Sequence, residues 1–268
     1  MFTDLTNQQY HNRPEISSSD VKAVALKSLA HWHYGERKES AAFDLGTSVH
    51  AMILEPEKAL VRKGPADRRT NDWKEKKMAA DLDGVTLLPS GEYDLAEKMS
   101  QAVLQDVTAK RLLGQHDLVR EASFFALDPV TGMHIKCRPD AYSPTTGLVI
   151  DIKTTADASP RAFARDVAKF GYDLQVAFYL RVLEAAGFKA TEFLFICVEK
   201  EPPFAVGCHM LSPEYVASSQ VIVTHTLHNI RNASLARRFT TGWPEINVID
   251  LPSWRREQPD SDEALSNL

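Results

Sequence analysis

The chain has 268 residues, 44% of them hydrophobic and 25% charged, with a formal net charge of −5. That composition excludes a disordered or fibrous protein, and the acidic balance excludes a polycation that coats nucleic acid, although not an enzyme with local basic stretches. No apolar run approaches the ~20 residues of a membrane helix.

The start, Met1-Phe2-Thr3-Asp4, lacks the basic and then apolar pattern of a secretory signal. A cytoplasmic protein with no membrane partner is expected. Cys137, Cys197 and Cys208 form no C-x-x-C pair, which argues against a disulfide framework, a zinc site or an iron–sulfur cluster and for buried free thiols.

The first 60 residues read as helical. Ser17-Ser18-Ser19 offers capping hydroxyls before Val21, Val24, Leu29 and Trp32 at helical spacing. A second helix is expected over residues 41–55, with Leu45, Val49, Met52 and Ile53 as its apolar face and Pro56 as its stop. Residues 61–77 turn basic, with Arg62, Lys63, Arg68, Arg69, Lys74, Lys76 and Lys77, and read as a loop or the start of a surface helix. Another helix is expected over 90–113.

The period then changes. Residues 121–127, 133–140 and 148–153 read as three strands joined by short connections containing Gly and Pro, which favour antiparallel neighbours. Helical pattern returns over 160–170 and 173–186, strands over 192–199 and 204–210, and a long helix over 213–239. This order predicts one α/β domain, residues 1–251, with a mixed sheet flanked by helices, and a loose tail over 252–268.

Ten residues separate Asp140 from Asp151, and Lys153 follows at the next inward position. A hairpin between the two acids brings both carboxylates to one sheet end, and the period of two puts Asp151 and Lys153 on one face. Converging carboxylates suit Mg²⁺ or Mn²⁺, and an ammonium beside them can serve an attacking water or counter phosphate charge. An isolated Asp-x-Lys more often makes an exposed ion pair of little consequence. Three neighbours strengthen the chemical reading: Glu121 opening the preceding strand, Gln175 and Tyr179 stacked at i, i+4 on a helix, and His50 sharing a helix face with Gly46, which clears space beside it.

Residues 43–56 (FDLGTSVHAMILEP), Arg138-Pro139-Asp140, residues 149–155 (VIDIKTT) and Gln175-x-x-x-Tyr179 occur in that order. Together they resemble the PD-(D/E)xK nuclease superfamily, in particular the exonuclease VIII (RecE-type) branch of phage and prophage recombination nucleases. Tyr10-His11…Pro14…Ile16-Ser17 and Asp67-Arg68-Arg69-Thr70 are similar to that branch too. The resemblance implies the restriction-endonuclease-like core. It implies a metal site of His50, Asp140, Asp151 and the carbonyl of Ile152, with Glu121 contributing, Lys153 serving the water, and Gln175 and Tyr179 beside the substrate strand.

It further implies degradation of one strand of duplex DNA from its 5′ end, a ring of three or four copies, and a single-strand annealing partner of the RecT type. Asp151 stands where Glu is frequent in the superfamily, which leaves metal preference open. Arg68, Arg69 and Arg138 are candidate phosphate contacts, and Ser17 and Ser18, at a helix start, could hold a terminal phosphate or simply cap the helix. The alternatives are a structure- or site-specific endonuclease on the same core and a catalytically silent DNA-end-binding module.

Overall fold

The computed structural model describes residues 1–3, 5–36 and 41–250, and side chains 41–44 are outside that description. The expected tail over 252–268 therefore lies outside the described residues.

The N-terminal third is helical, as its periodicity predicts, but in shorter pieces. Helices α1 (Asn7–His11), α2 (Ser18–Leu26) and α3 (Leu29–Tyr34) precede α4 (Ala41–Leu54). The helix expected to run from Val21 past Trp32 breaks because the Ser28 hydroxyl accepts the His31 N–H and starts a new helix.

Within the expected basic loop, β1 (Val61–Gly64) pairs in parallel with β2 (Thr86–Pro89), and α5 (Asn71–Asp83) forms the crossover. The helix expected over 90–113 divides into α6 (Ser90–Gln105) and α7 (Val107–Leu113), since the extended Asp106 caps α7 by accepting from Thr108 and Ala109 N–H.

The expected three-stranded meander is also split. Strand β3 (Val119–Arg120), which the sequence pattern did not reveal, is followed by β4 (Phe124–Leu127) and β5 (His134–Cys137). These last two form a separate hairpin. Arg138-Pro139-Asp140 interrupts the strand, since proline has no N–H for a ladder. The chain then re-enters as β6 (Ala141–Tyr142), paired with β3 on one side and β7 (Leu148–Thr155) on the other.

Helices α8 (Pro160–Phe170) and α9 (Tyr172–Ala185) carry the crossover to β8 (Glu192–Glu199), which pairs with β7 in parallel. Strand β9 (Val206–Met210) returns antiparallel before α10 (Pro213–Ala236). The described residues thus form a five-stranded mixed sheet, ordered β3-β6-β7-β8-β9 and flanked by helices.

Strand alternation divides the core in two. Val149, Phe193, Phe195 and Cys197 face a cluster with Val21 of α2, residues of α9 and Leu227 of α10. Ile150, Ile152, Leu194, Ile196 and Val198 face a second cluster, with Val49 of α4, Met99 of α6 and Leu113 of α7. Each large side chain so buried stabilises the fold by about 2 kcal/mol. Of the cysteines, Cys137 and Cys197 are buried and Cys208 is half-buried, all as free thiols.

The N-terminal segment is strapped across the β4–β5 hairpin. Phe2 exchanges two backbone hydrogen bonds with Ser123, and Ile16 bridges His134 and Lys136. The buried Lys136 ammonium donates to the carbonyls of Tyr10 (2.8 Å) and Arg13 (2.6 Å). At the hairpin turn, buried Asp128 accepts from Thr131 and from Arg181 of α9, at 2.5 and 3.0 Å, and Arg181 also donates to Thr224 of α10.

Arg181 therefore anchors the helix that carries Gln175 and Tyr179. Arg181→Leu leaves Asp128 charged and buried, and is expected to destabilise the protein by about 3 kcal/mol in urea unfolding. The double variant with Asp128→Asn is expected to lose less, and a single variant as stable as the parent would refute the anchor.

Candidate metal and nuclease site

Asp140 precedes β6, and Asp151 and Lys153 lie on adjacent inward positions of β7. Because β6 is only two residues long and its register ends at Ile150, the Ile152 N–H has no strand partner on that edge. The Asp140 carboxylate accepts it at 2.6 Å. N–H and C=O of one strand residue point to the same side, so the Ile152 carbonyl faces this edge as well. From α4, on the opposite sheet face, His50 Nδ1 reaches Asp140 Oδ2 at 3.2 Å. The expected clearing role of Gly46 is not needed, for among the described residues a Cβ there would meet only Thr154 Oγ1, at an ordinary 3.9 Å.

On the other face, Lys153 Nζ lies 2.5 Å from Asp151 Oδ2. This short, buried contact is a charge-assisted ion pair, and Lys153 is the partner of that oxygen. Gln175 bridges the pair, donating to Asp151 Oδ1 at 2.6 Å and accepting from Lys153 at 3.3 Å. The Lys153 ammonium also stands 4.8 Å from the centre of the Tyr172 ring.

The charges perturb one another as their closeness requires. Burial alone raises a carboxyl pKa, and in Asp151 it prevails, helped by Asp140, so that group is raised despite Lys153. In Asp140 burial is outweighed by His50, Lys153 and the Ile152 N–H, and its pKa is lowered. Burial opposes charge on His50 and Lys153 too, but the facing carboxylates win and both are raised.

Glu121 is not in a strand. It has a positive φ of 51°, and its N–H donates to the Asp140 carbonyl at 3.1 Å. Burial and then Asp140 push its carboxyl up to about 7.

The remaining expected residues fall into three groups. Gln175 and Tyr179 are both buried, and the Tyr179 hydroxyl donates to the Arg138 carbonyl at 3.3 Å. Arg138 is not placed for the phosphate contact expected of it. Its side chain is 8% exposed, 3.6 Å from the Glu121 carboxylate, and it donates to the carbonyls of Glu121 and Leu5.

Arg68 and Arg69 lie at the start of α5, paired with Glu92 and Asp67. Ser17 caps α2, with its hydroxyl and N–H both on Asp20 Oδ2. The chain's own carboxylate therefore occupies the helix start where a phosphate was considered, and Ser18 is buried beside it. Lys22, one turn into α2, was missed. Its only sequence signal is a charge next to the core residue Val21, yet it lies close enough to feel Lys153 and Asp151.

Among the described residues, no three His, Cys, Asp or Glu side chains form a ready-made ion cage. The expected ligands stand as two adjoining clusters, His50 with Asp140 and Asp151 with Lys153 and Gln175. They nevertheless suit a hard divalent cation: two carboxylates, an imidazole and a strand-edge carbonyl.

Residues 16–241, well over half the chain, match the model of a family described as a PDDEXK-like domain of unknown function (DUF3799). No curated protein matches the sequence. Among solved structures, the "Putative exonuclease" from Eubacterium rectale is 15% identical, with a TM-score of 0.62 and all of both chains covered. The phage related exonuclease from Haemophilus somnus 129PT is 13% identical, with a TM-score of 0.38 over 86% of this chain and 99% of that one. Likeness at such identities speaks to the fold, and only the first TM-score is high enough to do so.

The raised Glu121 carboxyl has a measurable consequence. Between its ordinary 4.5 and about 7, the folded protein keeps a proton that the unfolded chain has released. The associated stability is present below pH 4.5 and lost as pH rises through 7. Glu121→Gln is therefore expected to match the parent at pH 4 and to exceed it at pH 8. The gain should be only on the order of 1 kcal/mol, since solvent reaches 33% of the side chain and screens it. Urea midpoints at the two pH values measure this difference, and no gain at pH 8 would contradict it.

Proposed function

The chain belongs to the PDDEXK-like family whose model it matches, and from that we propose that it is a divalent-metal-dependent nuclease acting on duplex DNA from an end. What supports this reading most is the closeness of Asp140, at the edge of β7, to Asp151 and Lys153 on its face, near enough to perturb one another, with Gln175 tying acid to amine. Proteins of the PDDEXK class generally use divalent ions, and no helix among the described residues is long and apolar enough to cross a membrane.

His50, Asp140, Asp151 and the Ile152 carbonyl would hold the ion, magnesium by preference with manganese able to substitute. When bound, such an ion supplies a more acidic water and stabilises charge on phosphate oxygen. Lys153, raised by the two carboxylates, is an ammonium at neutral pH. It orients the attacking water through its N–H groups and offsets charge growing on the phosphate, rather than removing a proton itself. Gln175 holds Asp151 and Lys153 in register. The buried walls around them exclude bulk water, which strengthens each of these interactions.

The resemblance to exonuclease VIII extends the proposal to attack from the 5′ end, a ring of three or four copies, action in the cytoplasm and a single-strand annealing partner. Asp151→Asn and Lys153→Ala are each expected to reduce Mg²⁺-dependent digestion of linear duplex by on the order of 10³-fold while binding of DNA survives. Duplexes labelled at either end report direction, and a covalently closed circle should stay intact. Nicking of the circle would indicate an endonuclease. Binding by the parent with no product in any divalent metal would indicate a silent end-binding module.

A further inference from the structure

Lys22 is a charged side chain at a half-buried position of α2, next to Val21, which is wholly buried. α2 packs against α9 and α10, on the sheet face that presents Asp151 and Lys153. The Lys22 stem runs along Gly171, where an added Cβ would come within 3.2 Å of Lys22 Cγ and 3.3 Å of its Cδ. Glycine there keeps the stem's path open, as well as supplying the φ of 63° that joins α8 to α9.

This path brings Lys22 Nζ to 5.7 Å from the centre of the Tyr172 ring, the same ring that Lys153 Nζ approaches to 4.8 Å. Both ammonium groups therefore approach one phenol ring, near enough for the charge of Lys153 to act on Lys22. Lys153 is compensated by Asp151 and Gln175. Lys22 has neither a hydrogen-bond acceptor nor an ion-pair partner among the described residues. Of the two carboxylates whose charge it feels, Asp151 pairs with Lys153, and Asp173 accepts from Ser219 at 2.8 Å.

Burial, and then the like charge of Lys153, lower the Lys22 amine to about 8. A partly desolvated cation beside another cation is unfavourable, and beyond the Tyr172 ring and the charges of Asp151 and Asp173 nothing among the described residues offsets it. An anion with several oxygens would, since it brings both charge and acceptors to an ammonium that lacks a direct partner. A DNA phosphodiester has that form.

We propose that Lys22 is a substrate-binding residue of this site, its ammonium gripping a non-bridging oxygen of the DNA phosphodiester alongside Lys153 at Tyr172. The proposal rests on the nuclease reading and adds to it an interaction from α2, outside the acid–lysine motif. Lys22 supplies charge and position to the phosphate, and no proton transfer is assigned to it.

The test uses the full chain and a blunt, fluorescein-labelled DNA duplex bearing a 5′ phosphate. Binding is followed by anisotropy in EDTA over a range of KCl concentrations. Lys22→Met is expected to bind about tenfold more weakly, the effect of removing one charge-assisted hydrogen bond. Its plot of log affinity against log salt should be shallower by about 0.9, as when one fewer phosphate is neutralised. Lys22→Arg should restore most of both. Lys27→Met, at an exposed lysine just past the end of α2, should match the parent.

The urea midpoint of Lys22→Met should equal or exceed the parent's, because an uncompensated ammonium has been removed, whereas a structural lysine would give a drop. With Mg²⁺, the variant's KM should rise more than its kcat falls. If the parent binds and digests DNA and Lys22→Met has the same affinity and salt slope, the role of Lys22 is overturned and the nuclease reading stands. A lowered urea midpoint with an unchanged slope overturns it equally. If the parent neither binds nor digests DNA, both fall.

Discussion

The hydrogen bond from the Ile152 N–H to the Asp140 carboxylate, at 2.6 Å, marks the point on which the site depends. A sheet strand buried on both faces still has to satisfy its backbone along each edge, and an unpaired N–H in such a place costs about as much as a lost hydrogen bond. Strand β6 covers β7 only as far as Ile150. Asp140, the residue just before β6, takes over where the ladder stops. The acid thus completes the sheet, and the interruption it fills leaves the Ile152 carbonyl facing the same opening. The same carboxylate oxygen is the one that His50 approaches, so one side chain ties α4 to the open edge of β7.

Around that point charge is buried in balanced groups. Asp151 is set against Lys153 and Gln175, Asp140 against His50, and Glu121 against Arg138. Removing one member of a fully buried pair such as Asp151–Lys153 costs about 3–5 kcal/mol, as much as deleting a large core side chain, whereas the longer, partly exposed Glu121–Arg138 contact is worth far less. The surrounding apolar clusters are correspondingly extensive on both faces of β7 and β8. The balance is incomplete in two places, the raised Glu121 carboxyl and Lys22. Both are electrostatically tied to the Asp140–Asp151–Lys153 centre. In the structural pair Asp128–Arg181, by contrast, both carboxylate oxygens have donors, from Arg181 and Thr131.

Local rules made part of this arrangement legible. The period of two in residues 148–153 put Asp151 and Lys153 on one face, and the helical period put Gln175 under Tyr179. Both relations depend only on neighbours within four positions. β8 and α8 are bounded by turn and capping signals and run as their pattern implies. Capping chemistry in Ser28 and Asp106 could have divided two helices that apolar periodicity joined. What was illegible involves distant partners. Lys136 and Arg138 read as cations on a strand, yet their acceptors are backbone carbonyls of residues 5–13, which no side-chain pattern can reveal. The basic run over 61–77 hid β1 because only Gly64 of that strand is buried. Its charges meet Asp83, Asp94 and Glu92 from later in the chain, so a stretch that looks cationic in sequence is largely neutralised in space.

Gln175 shows how closely scaffold and chemistry are joined. The bridge between Asp151 and Lys153 needs one donor and one acceptor on a single planar group with enough reach, and a primary amide on a two-carbon stem has both. A glutamate would set a third negative charge against Asp151, and a leucine would leave Asp151 Oδ1 without its donor in a buried setting. Asparagine is shorter by one carbon. One turn further along α9, Tyr179 holds the Arg138 carbonyl, two residues before Asp140. A single helix face therefore grips the strand that carries Asp151 and Lys153 and also the segment that delivers Asp140. The separation of the two carboxylate clusters is set by this face together with the Arg181 anchor two residues beyond Tyr179, and a neutral amide lets Asp151 exchange partners without a net charge being moved into the core.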